Sequence, residues 1–355
     1  MRSIQLSSGK FCCGYGLLQK LGQLVLPFGT RVLLISDETV SKKFGREAEN
    51  SLEAAGIAGR WFLMEGFCSA PNYRAAVKTG AQWKAQAVVG LGGGRVMDTA
   101  KIAGDLLRLP VVTVPTSAAT CAATALLAVE YTPDGKQIGD YWPVSVPVLT
   151  AADWSIILQQ CPVRYNIAGM VDAMAKYPEI VFQKQQSEDL QGNLVFCVAA
   201  SAAAETYQYY LSHGVKAAKS MRDGTPDTMA ENAAFTALEL TGMISCLAFG
   251  GKQAAVAHMI YVYLTNFYPN VLSKWLHGEL VGAGLCYQLA VNGAAQEEIQ
   301  RLQVFLHTLE VPASLSEAGF LFSKQEIGHL LDFLGTRLHL SREARQTLEE
   351  KIQYI

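Results

Sequence analysis

Three ionisable side chains of this 355-residue chain stand where ionisable side chains are costly. Asp172 lies in "NIAGMVDAMAK", His258 in "KQAAVAHMIYVYL" and His277 in "KWLHGELVGAG", each among apolar neighbours. A polar ring or carboxylate in such a setting needs a partner, so each residue calls for an explanation. Taken singly, the histidines read as hydrogen-bonded core residues and the carboxylate as the partner of an arginine. Taken together, one carboxylate and two neutral imidazoles are the ligands of a divalent ion such as Zn²⁺. Three protein ligands leave a fourth position open, which is the catalytic pattern rather than the closed structural one. Eighteen residues separate the two histidines and Asp172 lies far upstream, so three separate helices have to converge for the set to act.

A second chemistry is written in "VVGLGGGRVMDTAK", residues 88 to 101. An apolar run ends in Gly92, Gly93 and Gly94 and continues as a helix whose Val96, Met97, Ala100 and Ile102 suit one side. Backbone N–H groups at a helix start attract an anion, and missing side chains let a phosphate come close. The pattern is neither G-x-G-x-x-G, because Arg95 stands where a small residue is needed, nor a P-loop ending in GK[ST]. A tight strand-to-helix turn and a phosphate cradle both fit it. Asp37, directly after the apolar "RVLLIS", sits where an acid accepts hydrogen bonds from ribose hydroxyls and repels a 2′-phosphate, which favours NAD over NADP. It equally suits the N-cap of the helix that follows. In "VVTVPTSAATCAATALLAVEYT", residues 111 to 132, a strand runs into small and hydroxylated residues (Thr116, Ser117, Thr120, Thr124) that touch a cofactor without crowding it.

The elements that position these residues change character along the chain. Up to about residue 150, β-like runs at 31–36, 60–65, 87–92 and 110–115 alternate with helical stretches such as 39–55 and 73–84. That alternation predicts a mostly parallel sheet with helices on both faces. From about Cys161 the pattern turns helical (194–219, 229–249, 279–292, 295–309, 324–334, 341–353). The expected architecture is therefore α/β plus all-α. A Rossmann-like domain over 1–160 is followed by a helical domain over 161–355, with a ligand cleft between them.

Composition narrows the partners. With 29 basic and 31 acidic residues the formal charge is −2, so neither nucleic acid nor an anionic membrane is favoured, and small molecules or copies of the same chain are expected. The eight cysteines form no CxxC pair and read as reduced thiols. No segment approaches membrane-spanning length, and the first residues hold no signal-peptide core, which predicts a cytoplasmic protein.

In order, "GGGRVMDTAK", "VPTSAAT", "PVRYNIAGMVDAMAK", "AAVAHMI" and "LHGELVGAG" resemble landmarks of the iron-containing (group III) alcohol dehydrogenase superfamily, glycerol dehydrogenase-like branch, from about residue 8 to 290. The resemblance implies NAD(P) and one divalent metal in the cleft, with Asp172, His258 and His277 as ligands. It assigns Asp37 to the ribose, Gly93 to Asp98 to the pyrophosphate, and Thr116, Ala119, Ala125, Leu127 and Tyr131 to the nicotinamide side. A homo-oligomer is implied by the same likeness. Lys176, where a further histidine would favour iron, leans the metal toward zinc.

Three departures matter. Cys121 replaces the aspartate with which glycerol dehydrogenases contact the diol, and resembles a hydroxycarboxylate dehydrogenase sub-branch with "TCAA". Tyr261 replaces a histidine near the reacting centre, and its hydroxyl takes over the proton path. Pro178 in "KYPE" predicts a helix break after Tyr177. The leading function is hydride transfer between NAD(H) and a small secondary alcohol, polyol or 2-hydroxy acid, with Arg164 and Lys176 as candidate carboxylate partners. The alternatives are a sugar-cyclising lyase such as dehydroquinate synthase, or a cofactor-binding protein without turnover.

Overall fold

The structure is a computed structural model that describes residues 5–268 and 271–354. Its N-terminal part is built on β1 (Phe11–Gly14), β2 (Arg31–Ser36), β3 (Ala58–Leu63), β4 (Ala87–Gly92), β5 (Val111–Pro115), the hairpin β6 (Ala128–Tyr131) and β7 (Gln137–Tyr141), and β8 (Leu149–Asp153). Six of these strands form one parallel sheet in the order β1-β8-β5-β4-β2-β3. Along β2 the side chains alternate. Val32 and Leu34 join Phe44, Ala48 and Leu52 of the Glu38–Ala54 helix on one face, and Leu33 and Ile35 join Val96, Met97 and Ala100 of the Gly94–Leu107 helix on the other.

The strand order places the site. From β2 the chain moves outward to β3, returns to β4 on the other side of β2, and continues to β5, so the order reverses between β2 and β4. At such a switch point the connections diverge to opposite faces and leave a crevice beyond the carboxyl ends of the strands. Asp37 and the glycine turn flank that crevice.

The expected runs at 31–36 and 87–92 are β2 and β4, and those at 60–65 and 110–115 are β3 and β5 displaced by one or two residues. Strands β1 and β8, "FCCG" and "LTAAD", were not anticipated, because they lack the β-branched runs that mark a strand. From Val163 onward the described chain is helical and without strands. Residues 154–162 connect the two parts, and one apolar core continues from Ala118, Ala123 and Ile157 to Ile167, Met170 and Leu285. Among the described residues no helix is long and apolar enough to cross a membrane.

Two local expectations need correction. The helix does not break after Tyr177: it runs from Val163 to Gln185 with Pro178 inside. An interior proline costs about 3 kcal/mol. Burial of nearly every residue from Asn166 to Phe182 offsets that cost, and Asn292 donates to the Pro178 carbonyl at 2.7 Å. The single helix expected over 229–249 is instead Thr228–Phe235, a π turn over Thr236–Leu240 and Thr241–Leu247. Next to that turn Thr124 Oγ1 donates to the Leu238 carbonyl at 2.5 Å, tying the loop after β5 to the helical part.

Two glycines set how closely the helices meet. A Cβ on Gly169 would lie 1.6 Å from the Ala118 carbonyl oxygen, and one on Gly278 would lie 1.8 Å from that of Ala168. Gly278 thus allows the His277–Val291 helix to touch the helix carrying Asp172 right beside His277. Replacing Gly278 by Ala is expected to force this crossing apart. Overpacking of this kind costs about 1–3 kcal/mol, so the midpoint of thermal unfolding should fall and metal retention with it; unchanged values for both would show that the crossing tolerates a methyl group.

Candidate metal and dinucleotide site

Three helices deliver one ligand atom each. Asp172 stands mid-helix in Val163–Gln185, His258 in the first turn of Val256–Phe267, and His277 at the start of His277–Val291. Asp172 Oδ1 lies 3.1 Å from His258 Nε2 and 3.3 Å from His277 Nε2, and all three ligand atoms fall within 4.8 Å of one another. Asp172 is buried, while the two imidazoles are partly exposed.

The hydrogen bonds behind these atoms fix their chemistry. Glu179, fully buried, takes the His258 and Ala255 backbone N–H groups on Oε1 at 2.9 and 2.8 Å, and faces His258 Nδ1 with Oε2 at 2.5 Å. Nδ1 is thereby committed to Glu179, and Nε2 is left facing Asp172. This carboxylate–histidine pairing is the outer-shell device that fixes the tautomer and raises the basicity of a metal-bound imidazole. Burial alone would lower the His258 pKa, but the Glu179 charge and hydrogen bonds to Asp172 and Glu179 outweigh it and raise it. For Asp172 burial pushes the carboxyl up, and Lys176, His277 and His258 together hold it well below the usual carboxylate range. A divalent cation among these three atoms would satisfy all of them, so the donor set fits the implied metal.

Glu179 was not singled out from the sequence. Two helical turns after Asp172 it shares that residue's face, and this spacing was a readable signal hidden by the expected break at Pro178.

Tyr261, one turn after His258, packs edge-on against the His277 ring with centroids 4.2 Å apart, and its hydroxyl lies 3.2 Å from that of Tyr131 on β6. Burial raises the pKa of both tyrosines, so both keep their protons near neutrality. Cys121 borders the cluster, with Asp172 and Lys176 among its charged neighbours; burial pushes its thiol up to about 11, so it is no charged acceptor.

At the crevice, Gly93 caps the 14-residue Gly94–Leu107 helix, whose first turn has neither a side-chain cap nor an acid. A Cβ on Gly93 would meet nothing within 4 Å, whereas those on Gly90 and Gly92 would strike Ala100 and Val96 at 2.8 and 2.7 Å. Gly90 and Gly92 therefore serve packing, and Gly93 leaves the helix start open to an anion. Gly94 approaches Thr120 Oγ1, and the Thr116 N–H donates to the Gly92 carbonyl at 2.9 Å. Asp37 caps its helix by accepting from Val40 N–H at 2.9 Å, which leaves its other oxygen for a ligand.

The remaining candidates divide. Ser117 and Ala119 are half-buried beside the crevice, while Lys101 donates to the Ala125 and Leu127 carbonyls and so shapes that wall. Asp98 faces inward and pairs with Lys101 at 2.9 Å, one turn beyond the free N–H groups, so the structure gives it a positioning task and not a place at the helix tip. Arg95 stacks over the Phe67 ring at 4.2 Å. Lys176 reaches the cluster at 3.4 Å from His258 Nε2 and 4.0 Å from Asp172 Oδ1. Arg164 corrects the expectation that it is free to bind a carboxylate. Its guanidinium forks onto Glu279 at 2.5 and 2.7 Å and onto the Lys274 carbonyl at 2.8 Å, because Glu279 also caps the helix start at Leu276 N–H.

Comparison with known proteins bears on the fold and the family. A family model described as "Iron-containing alcohol dehydrogenase" matches residues 8–153. Glycerol dehydrogenase of Thermotoga maritima is 29% identical over 313 residues, covering 88% of this chain and 83% of that protein. Glycerol dehydrogenase of Pseudomonas putida is 28% identical over 317 residues, covering 89% and 85%. The crystal structure of glycerol dehydrogenase from Schizosaccharomyces pombe superposes with a TM-score of 0.85 at 24% identity, over 99% of this chain and 90% of that one. The chain belongs to the iron-containing alcohol dehydrogenase superfamily, in its glycerol dehydrogenase-like branch.

Replacing Glu179 by Gln keeps the shape and removes the charge behind His258. Loss of such an outer-shell partner typically costs about 10–100-fold in metal affinity, and that loss is expected in a chelator-competition titration; wild-type affinity would show that His258 does not depend on Glu179.

Proposed function

We propose that this protein is a metal-dependent oxidoreductase that transfers a hydride between NAD(H) and a small alcohol, polyol or 2-hydroxy acid. The observation that carries the reading is the convergence of Asp172, His258 and His277, in a chain that also leaves the helix start at Gly93 uncapped. With both groups bound, a divalent ion lends Lewis acidity to the substrate oxygen and NAD accepts or returns the hydride.

The chain's own residues supply position. Asp172, His258 and His277 hold the ion, and Glu179 holds His258. The N–H groups at Gly94 and Arg95 face the pyrophosphate, Asp37 takes the ribose hydroxyls, and its charge favours NAD over NADP. Thr116, Ser117, Ala119, Ala125, Leu127 and Tyr131 form the nicotinamide wall. The Tyr131–Tyr261 hydroxyl pair carries the proton between the substrate oxygen and solvent in place of the histidine of relatives. Zinc is favoured over iron, since the residue one turn after Asp172 is Lys176. A dinucleotide domain over 1–160, a metal- and substrate-binding domain over 161–355, a cytoplasmic location and a homo-oligomeric state belong to the same reading.

Substrate class follows from what stands at the cluster. Cys121 offers no charge to a diol, whereas Lys176 offers a cation to a carboxylate, which supports 2-hydroxy acids alongside simple alcohols. Glycerol dehydrogenase and glycolaldehyde reductase are the names of relatives at 26–29% identity. A sugar-cyclising lyase needs cations for a phosphate leaving group, and Arg164 is committed to Glu279. Reading the "HMIYVY" segment as a loss of turnover is countered by Tyr261, which restores a hydroxyl beside His277.

NADH absorbance followed over a panel of 2-oxo acids, aldehydes and polyols, with and without chelator, tests the reading. Turnover is expected to disappear on chelation and in Asp172→Asn, with NADH binding retained; turnover that survives in either case would refute the metal's role.

A further inference from the structure

Lys176 is the group the proposed chemistry uses least and the cluster constrains most. Its side chain is nearly fully buried, one helical turn after Asp172, in a pocket that also contains Cys121. Its Nζ lies 3.4 Å from His258 Nε2 and 4.0 Å from Asp172 Oδ1, two of the three atoms that would ligate the metal. A metal ion binds such atoms at about 2.0–2.2 Å. An ion seated there and an ammonium at these distances would be like charges a few ångströms apart in a water-poor pocket, where their repulsion is strong.

We propose that Lys176 is an internal counter-cation of the metal site: its ammonium holds Asp172 and His258 together in the metal-free protein, and the divalent ion enters by displacing it. Burial of Asp172 makes this useful, because an unpartnered buried carboxylate is costly. The helix places the lysine within reach without backbone movement, since residues four apart lie on one face. Two consequences follow. The metal-free protein stays folded with its ligand set assembled, and metal affinity is lower than the same three ligands would give without the lysine. Resting on the proposed function, the displaced ammonium then becomes the cation beside the substrate's carboxylate.

Wild type, Lys176→Met, which removes the charge, and Lys176→Arg, which keeps it, separate the possibilities. Each protein is stripped with chelator, checked for helix content by circular dichroism, and titrated with Zn²⁺ against a chromophoric chelator. Thermal unfolding is recorded before and after loading. The Met variant is expected to bind Zn²⁺ about tenfold more tightly. Its metal-free form should unfold at a lower temperature than metal-free wild type, and it should gain more on loading. The Arg variant should bind no more tightly than wild type. Wild-type or weaker affinity in the Met variant, or equal tightening in the Arg variant, would overturn the proposal. Should the Met variant not fold, Lys176→Gln is read in the same way. Absence of Asp172-dependent zinc binding in the wild type overturns this proposal and the functional reading together. A wild type that binds zinc beside a Met variant that binds no more tightly overturns this proposal alone.

Discussion

Electrostatic frustration at one point organises the helical half of this molecule. Asp172 Oδ1, His258 Nε2 and His277 Nε2 come within 4.8 Å of one another, and with Nδ1 of His258 facing Glu179 its Nε2 is turned to the same small volume. Three acceptors in a buried pocket repel one another unless a positive charge stands among them. Much of the surrounding structure follows from keeping them there. Gly278 permits the helix crossing beside His277, burial carries the Asp172 helix through Pro178, and Glu179 ties the first turn of the His258 helix to the Asp172 helix.

The sheet supplies the complementary feature, a helix start left without a side-chain cap. The order reversal between β2 and β4 opens a crevice at the carboxyl ends of the strands, and the helix after β4 starts there without a cap. Gly90 and Gly92 let that helix sit directly on the sheet, which brings its first N–H groups to the crevice edge. The loop after β5 links the two features. Asn166 accepts from Ala118 N–H at 3.0 Å and donates to the Ile157 carbonyl at 2.7 Å, while Thr124 reaches Leu238, so the loop after β5 is anchored to the helical part that carries Asp172, His258 and His277.

How much of this could be read from the sequence depended on whether the signal was local. The apolar runs of β2 and β4, the glycine turn and the residues Asp172, His258 and His277 are each marked by a contrast with their immediate neighbours; the runs are strands, the turn opens a helix, and the three side chains lie together. Strands β1 and β8 are marked only by their place beside other strands, and short segments of small residues carry no such contrast. Pro178 pointed the wrong way, because its cost is set by the local chain and its compensation comes from packing by distant helices. Glu179 stayed hidden behind it, and Arg164 looked free because Glu279, its partner, lies 115 positions away.

Anomalous scattering at the metal edge from crystals of the zinc-loaded protein tests the central claim most directly. The account predicts one strong peak per chain bonded to Asp172 Oδ1, His258 Nε2 and His277 Nε2 at about 2.0–2.2 Å. A peak elsewhere, or a fully loaded protein in which one of these three residues makes no bond to the ion, would contradict it.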